Sequence, residues 1–241
     1  MRAVLADPIL RRRFATLVLC EFLWGIGTFL VLPSTTIPAF LGAHGAKPVV
    51  IGIMGTALGA LPLLCQVFGR DIVNRFRHRK RGLILLHIPV ALPYFILAVL
   101  EGRLAGRPGV LIALAILLLS VSQIMLGVVI PVWLDMIARV IPLNVRGRYF
   151  GFSVGAYAVG GVLGGSTVAG MAGALGTTVY RGAFFVGGLF FLLALVAFAA
   201  APIPEAAFQH AQGPPWRTRL REALTACHFR RDFGKVVWSY A

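Results

Sequence analysis

Apolar residues run along this chain in blocks rather than in alternation with polar ones. Five long blocks lie at about 14–40, 48–69, 109–138, 149–172 and 182–203, and a shorter one at about 82–100 is interrupted by Pro89 and Pro93. About 20 helical residues cross the roughly 30 Å hydrocarbon core of a bilayer, so each block is long enough or nearly so. Helix is the required form, because lipid offers no partner to a bare N–H or C=O. The two-residue alternation of a barrel strand is absent, since the blocks are apolar on every face. The pattern predicts an all-α integral membrane protein of six transmembrane helices. Pro33, Pro62 and Pro131 fall inside blocks, where neighbouring helices re-satisfy the carbonyls that proline frees.

Composition removes the soluble alternatives. Of 241 residues, 59% are hydrophobic and 13% charged, whereas a water-soluble domain carries about 25% charged residues. The mean hydropathy is +0.86. The net charge of +15 would suggest nucleic acid in a soluble protein, but its placement argues against such a partner. With the connections numbered alternately from a cytosolic N-terminus, 19 of the 23 lysines and arginines fall on the cytosolic side. Only Lys47, Arg103, Arg107 and Arg181 fall outside. That split is the positive-inside rule, and it would be scrambled by one span more or fewer. The basic clusters are therefore topology signals, with contact to anionic lipid a by-product. The expectation is a multi-pass protein of the plasma membrane, a bacterial inner membrane, with a cytosolic N-terminus.

The first block is too long for the h-region of a cleavable signal. Asp7-Pro8 instead predicts the N-cap and first position of a short helix ahead of span one. Cys20, Cys65 and Cys227 are scattered, with no CxxC and no histidine at ligand spacing, so neither disulfide, metal nor cofactor is implied. The expected organisation is a cytosolic segment over 1–13, a six-span bundle over 14–203, a Pro- and Gly-rich cytosolic linker over 204–227 with a basic helical stretch, and a last segment at 228–241. That last segment, HFRRDFGKVVWSYA, aligns without gaps on ILRRRFATLVLCEF at 9–22. It reads as the start of a seventh span equivalent to the first, and internal repeats of this kind mark secondary transporters. The chain is expected to be a partial one, completed by a missing C-terminal half or a second copy.

Three local patterns resemble the major facilitator superfamily, specifically its N-terminal six-helix half. The first is the loop between spans two and three, from Gly69 to Lys80. There Arg75, Arg79 and Lys80 fall on the family's basic positions, Asn74 stands where an acid is expected, Arg77 replaces a glycine, and Gly69 is one residue early. The resemblance implies a cytosolic gating loop at Asn74, Arg75, Arg79 and Lys80, with Asp71 or Asp135 supplying the acid. The second is Pro142-Leu143-Asn144-Val145-Arg146-Gly147-Arg148, read as a proline stop followed by a tight turn at Gly147. The third is the glycine run of span five, with Gly155, Gly160, Gly161, Gly164 and Gly165 at spacings that let helix backbones meet. It is similar to a family motif in which Gly161 takes the place of the proline typical of antiporters.

Only two acids lie within apolar blocks, Glu21 and Asp135. A charge there costs at least about 2.5 kcal/mol, so each needs a reason. Glu21, Thr28 and Thr35 are seven residues apart and form one polar stripe on a straight helix. A carboxylate that meets water alternately from two sides suits proton coupling; the other reading is a glutamate that holds span one to a neighbour. Asp135 stands four residues before Arg139, the spacing of an intrahelical pair at the interface. Gln123, Ser120 and Ser122 are expected first to hydrogen-bond between helices, with Gln123 also a candidate for a substrate pathway, and His87 is assigned a structural place near the inner interface.

A membrane enzyme is disfavoured, because Ser166 has no histidine in a following span to serve as base. The reading is a secondary active transporter of a small-molecule substrate, working by alternating access in the lipid bilayer and coupled to protons. The alternative is a scaffold or assembly factor of the same fold that transports nothing.

Overall fold

A computed structural model describes residues 7–104, 106–175 and 178–208, together with 217, 218, 221, 222 and 225. The aligned segment at 228–241 and most of the linker lie outside the described residues. Among the described residues up to 208 there is no strand, and seven α-helices and one 3-10 turn follow in order: α1 (Pro8–Leu30), α2 (Thr36–Ala43), α3 (Pro48–Val73), α4 (Arg79–Arg103), α5 (Pro108–Val140), α6 (Leu143–Leu175), α7 (Val179–Ala200) and a turn over Glu205–Phe208. All but α2 are long and apolar enough to cross a membrane, which gives the six spans that the blocks predict.

Asp7 caps α1, its Oδ1 accepting from the backbone N–H of Ile9 at 2.8 Å and of Leu10 at 3.2 Å. Among the described residues the expected short helix and the span are one: α1 runs unbroken from Pro8, because nothing in Arg11-Arg12-Arg13 interrupts it. The block at 14–40 does not form one helix. The chain leaves α1 after Leu30 and re-forms helix at Thr36, since Pro33 lacks an N–H and crowds the residue before it. Pro38 survives in the first turn of α2, where its missing donor has no partner to lose. Gly45, at φ 82°, ends the short helix and turns the chain into α3.

The turn expected after Pro142 is absent, although the proline does stop α5 as the sequence predicts. It separates α5 from α6 by only two residues, and Arg146, Gly147 and Arg148 already belong to the first turns of α6. Gly147 makes no tight turn.

The helices sort by what lets them approach. α1 packs on α6 and α7, α3 on α5, and α4 on α5 and α7. Glycines stand where backbones touch: a Cβ on Gly160 would strike the Phe22 carbonyl, one on Gly164 the Ile26 carbonyl, and one on Gly25 the Tyr157 carbonyl. The α3–α5 contact uses the same device at Gly69, against Val128, and at Gly127, against Pro62. Small residues matter here because lipid gives helices no hydrophobic drive to associate.

Between 17% and 44% of each span's most apolar window is buried inside the bundle, so most of the apolar surface faces outward. Val49, Ile53, Leu63, Val154 and Val162 are each more than 60% exposed; in water such a surface would mark an interface or an aggregation site, and in lipid it needs no cover. The interior holds two apolar clusters. One gathers Leu17, Val73, Leu83, Met136, Tyr149 and Phe198, the other Leu30, Phe40, Tyr94, Leu119, Phe184 and Phe191. Trp24 packs against both.

Candidate functional site

Where the two clusters meet, the bundle leaves a cavity of about 360 Å³. Five helices wall it: α1 gives Cys20, Glu21, Trp24 and Thr28, α4 His87, α5 Leu126, Val129, Ile130, Trp133 and Leu134, α6 Tyr157, and α7 Ala194, Leu195 and Phe198. A second, smaller cavity of about 210 Å³ lies against α5 and α6 and is lined by Glu21, Trp133, Tyr149, Ser153 and Tyr157, among others. Glu21 is thus on the wall of both.

Glu21 is held by one bond. The indole Nε1–H of Trp133 donates to its Oε1 at 3.1 Å, tying α1 to α5. Thr28, two turns along, donates its hydroxyl to the Trp24 carbonyl of its own helix at 2.9 Å, and the Tyr157 hydroxyl interacts with it from α6. Thr35 does not extend the stripe. The break after Leu30 takes it off the helix, and it stands exposed just before α2. Helical spacing carried the expectation past a residue where the helix stops.

Gln123 also falls elsewhere. It is buried and, with Ser122, meets the Tyr94 hydroxyl of α4, while the Ser122 hydroxyl donates to the Val90 carbonyl at 2.8 Å. These groups join α4 to α5 and do not line the cavity. His87, in contrast, is a wall residue that the sequence reading placed at the interface. Its ring stands edge-on to Trp24 at 5.8 Å and 6.5 Å from Phe198, with Nδ1 2.8 Å from the Leu83 carbonyl. Only the packing of α4 on α7, with the Trp24 ring reaching it from α1, brings it there. Tyr149 is the other residue missed: it is 1% exposed, and its hydroxyl lies beside Ser153 without closing a well-formed hydrogen bond.

The remaining candidates lie at the end of the bundle that carries the N-terminus of α1. Asp135 and Arg139 pair through Oδ2 and Nε at 3.0 Å. Asn74 ends α3, its N–H donating to the Arg70 carbonyl at 3.0 Å, and Arg75 follows in the connection to α4, which opens at Arg79. Lys80 closes the end of α7: its Nζ donates to the carbonyls of Ala199 at 3.0 Å and Ala201 at 2.7 Å and lies 5.9 Å from the Phe198 ring. Arg13 donates to the Pro202 carbonyl at 2.8 Å, and Arg146 caps α5 through the Ala138 and Ile141 carbonyls. Residues that read as charge signals thus also satisfy the bare carbonyls and negative ends of helices. Replacing Lys80 with Met keeps the stem and removes the donor. It is expected to cost about 1–2 kcal/mol, read as a fall of about 2–8 °C in the Tm of the purified protein.

The glycines of α6 divide by face. Gly160, Gly161 and Gly164 meet Phe22, Phe29 and Ile26 of α1, whereas a Cβ on Gly155 or Gly165 would meet nothing within 4 Å. The expectation that all five pack helices is corrected to three.

Six spanning helices around a carboxylate-bearing cavity define a polytopic membrane protein. The profile of the Major Facilitator Superfamily matches residues 9–239. The chain belongs to that family, whose members are transporters, and its six apolar helices fit the N-terminal half of the family's architecture. A comparison with curated protein sequences gave no match.

Proposed function

We propose that the protein is a secondary active transporter of a small solute, working by alternating access and coupled to protons through Glu21. The observation that carries the reading is the position of Glu21 on the wall of both cavities. A carboxylate between two spaces gives and takes a proton according to which is wet, and its charge then biases the arrangement of the helices around it. The hydroxyls of Tyr149, Ser153 and Tyr157 on the smaller cavity give water a polar lining toward Glu21. Substrate sites of such transporters lie between two six-helix units, so a second unit, a C-terminal half or another copy, completes the larger cavity. The positive-inside rule favours a cytosolic N-terminus.

Accessibility at Thr28 separates this reading from a scaffold of the same fold. With Cys20, Cys65 and Cys227 replaced by alanine, Thr28→Cys is labelled in sealed vesicles by a membrane-impermeant thiol reagent applied to one side at a time. Alternating access predicts modification from both sides. A scaffold with a fixed cavity predicts modification from one side or neither.

A further inference from the structure

The larger cavity has a one-sided chemistry. Among the described residues lining it, Glu21 is the one carboxylate, and no lysine or arginine is present. The carboxylate accepts one hydrogen bond, from Trp133, and a carboxylate has about four acceptor sites. Around it stand the rings of Trp24, Trp133, Tyr157, His87 and Phe198, contributed by all five walls. Ring faces carry negative charge density and attract cations, most strongly when water is excluded.

From these residues we infer that the Glu21 cavity binds a monovalent organic cation, a protonated amine carrying a compact apolar group. The inference rests on reading the cavity as the transport site. The apolar group packs on the aromatic and aliphatic wall, and the ammonium faces the Glu21 carboxylate. His87 adds a second acceptor. Its Nδ1 lies 2.8 Å from the Leu83 carbonyl, and a carbonyl only accepts, so Nδ1 carries a proton, and in the neutral ring Nε2 is left as an acceptor. Other solutes fit worse. An anion or zwitterion would bring a carboxylate with no cationic side chain to meet it. A sugar would bring many hydroxyls to a wall with few polar groups. A bare Ca2+ or Mg2+ ion takes about six or more oxygens, and the wall offers one carboxylate and two hydroxyls.

Three compounds of matched shape test the inference: 2-phenylethylamine, which is protonated at pH 7, 2-phenylethanol and phenylacetate. Binding is followed by quenching of Trp24 and Trp133 fluorescence in uncharged detergent, with Trp216 and Trp238 replaced by phenylalanine. The amine is expected to bind at least tenfold more tightly than the alcohol, and the acid not to saturate. In Glu21→Gln the amine and alcohol should come within twofold of each other, and in Glu21→Asp part of the preference should return. The inference is overturned if the alcohol or acid binds as well as the amine, if none of the three binds, or if the preference survives Glu21→Gln. The charge series is read first on the protein that keeps Glu21, so it decides even if the Gln variant does not fold. Labelling at Thr28 does not depend on solute charge, so the two readings fail separately. Two-sided labelling with a failed charge series removes the substrate class alone. One-sided labelling with a successful series leaves a cation-binding cavity and removes transport.

Discussion

Gly160→Val and Gly164→Val are each expected to destabilise the bundle by about 3 kcal/mol or more, and together to prevent its folding. A valine Cβ at either position meets a backbone carbonyl of α1, at Phe22 and Ile26 respectively. Backbone cannot rotate aside as a side chain can, so α6 must move off α1 as a whole. Overpacking of a closed contact typically costs 1–3 kcal/mol, and more where nothing can yield. Against a total stability of about 5–15 kcal/mol, two such changes consume most of the margin. Gly155→Val and Gly165→Val, on the open face of the same helix, are expected to change stability by less than about 0.5 kcal/mol. Thermal unfolding of the four variants in one detergent checks both halves of the statement. Equal losses at all four positions would mean that helix propensity, and not contact with α1, sets the need for glycine.

Glu21→Gln is expected to abolish accumulation driven by a pH gradient and to leave the fold intact. Glutamine has nearly the same volume, and its side-chain oxygen still accepts from the Trp133 indole that holds Glu21 at 3.1 Å. What is lost is the exchangeable proton. A gradient of one pH unit carries about 1.4 kcal/mol per proton, enough for about tenfold accumulation at one proton per solute. In vesicles bearing such a gradient, the protein with Glu21 should approach that ratio, and the Gln variant should stop at equal concentrations on the two sides. Movement down the solute's own gradient should persist in the variant, at solute concentrations high enough to offset any weaker binding. Accumulation unchanged by the substitution would assign coupling to another group.

The spans were legible because lipid imposes a simple rule: about 20 apolar residues, helical, with charge kept to the ends. The sites were legible only in part. Glu21 stands out in sequence because a carboxylate inside an apolar block is rare, and Asp135 with Arg139 because an ion pair four residues apart needs only its own helix. Thr35 was misplaced because a helical repeat was extended through Pro33, where the backbone leaves the helix. His87 and Tyr149 were missed for a different reason. Their roles come from crossings of α4 and α6 with other helices, and no pattern within α4 or α6 encodes which residue a neighbour will face. The glycines of α6 show the same limit: their spacing announces close packing, but which of them touch α1 depends on how the helix is turned. Lys80 joins them, since a basic residue in a loop reads as a topology signal until α7 is seen to end beneath it.

The central claim is that solute movement and proton movement are coupled at Glu21 in the cavity. It is tested most directly in vesicles carrying a pH-sensitive dye, with no pH gradient imposed, when a solute found to be taken up is added to one side. The account predicts that the solute gradient drives proton movement with the Glu21 protein and none with Glu21→Gln. Solute movement without any proton signal in the Glu21 protein, or a proton signal that survives the substitution, would contradict it.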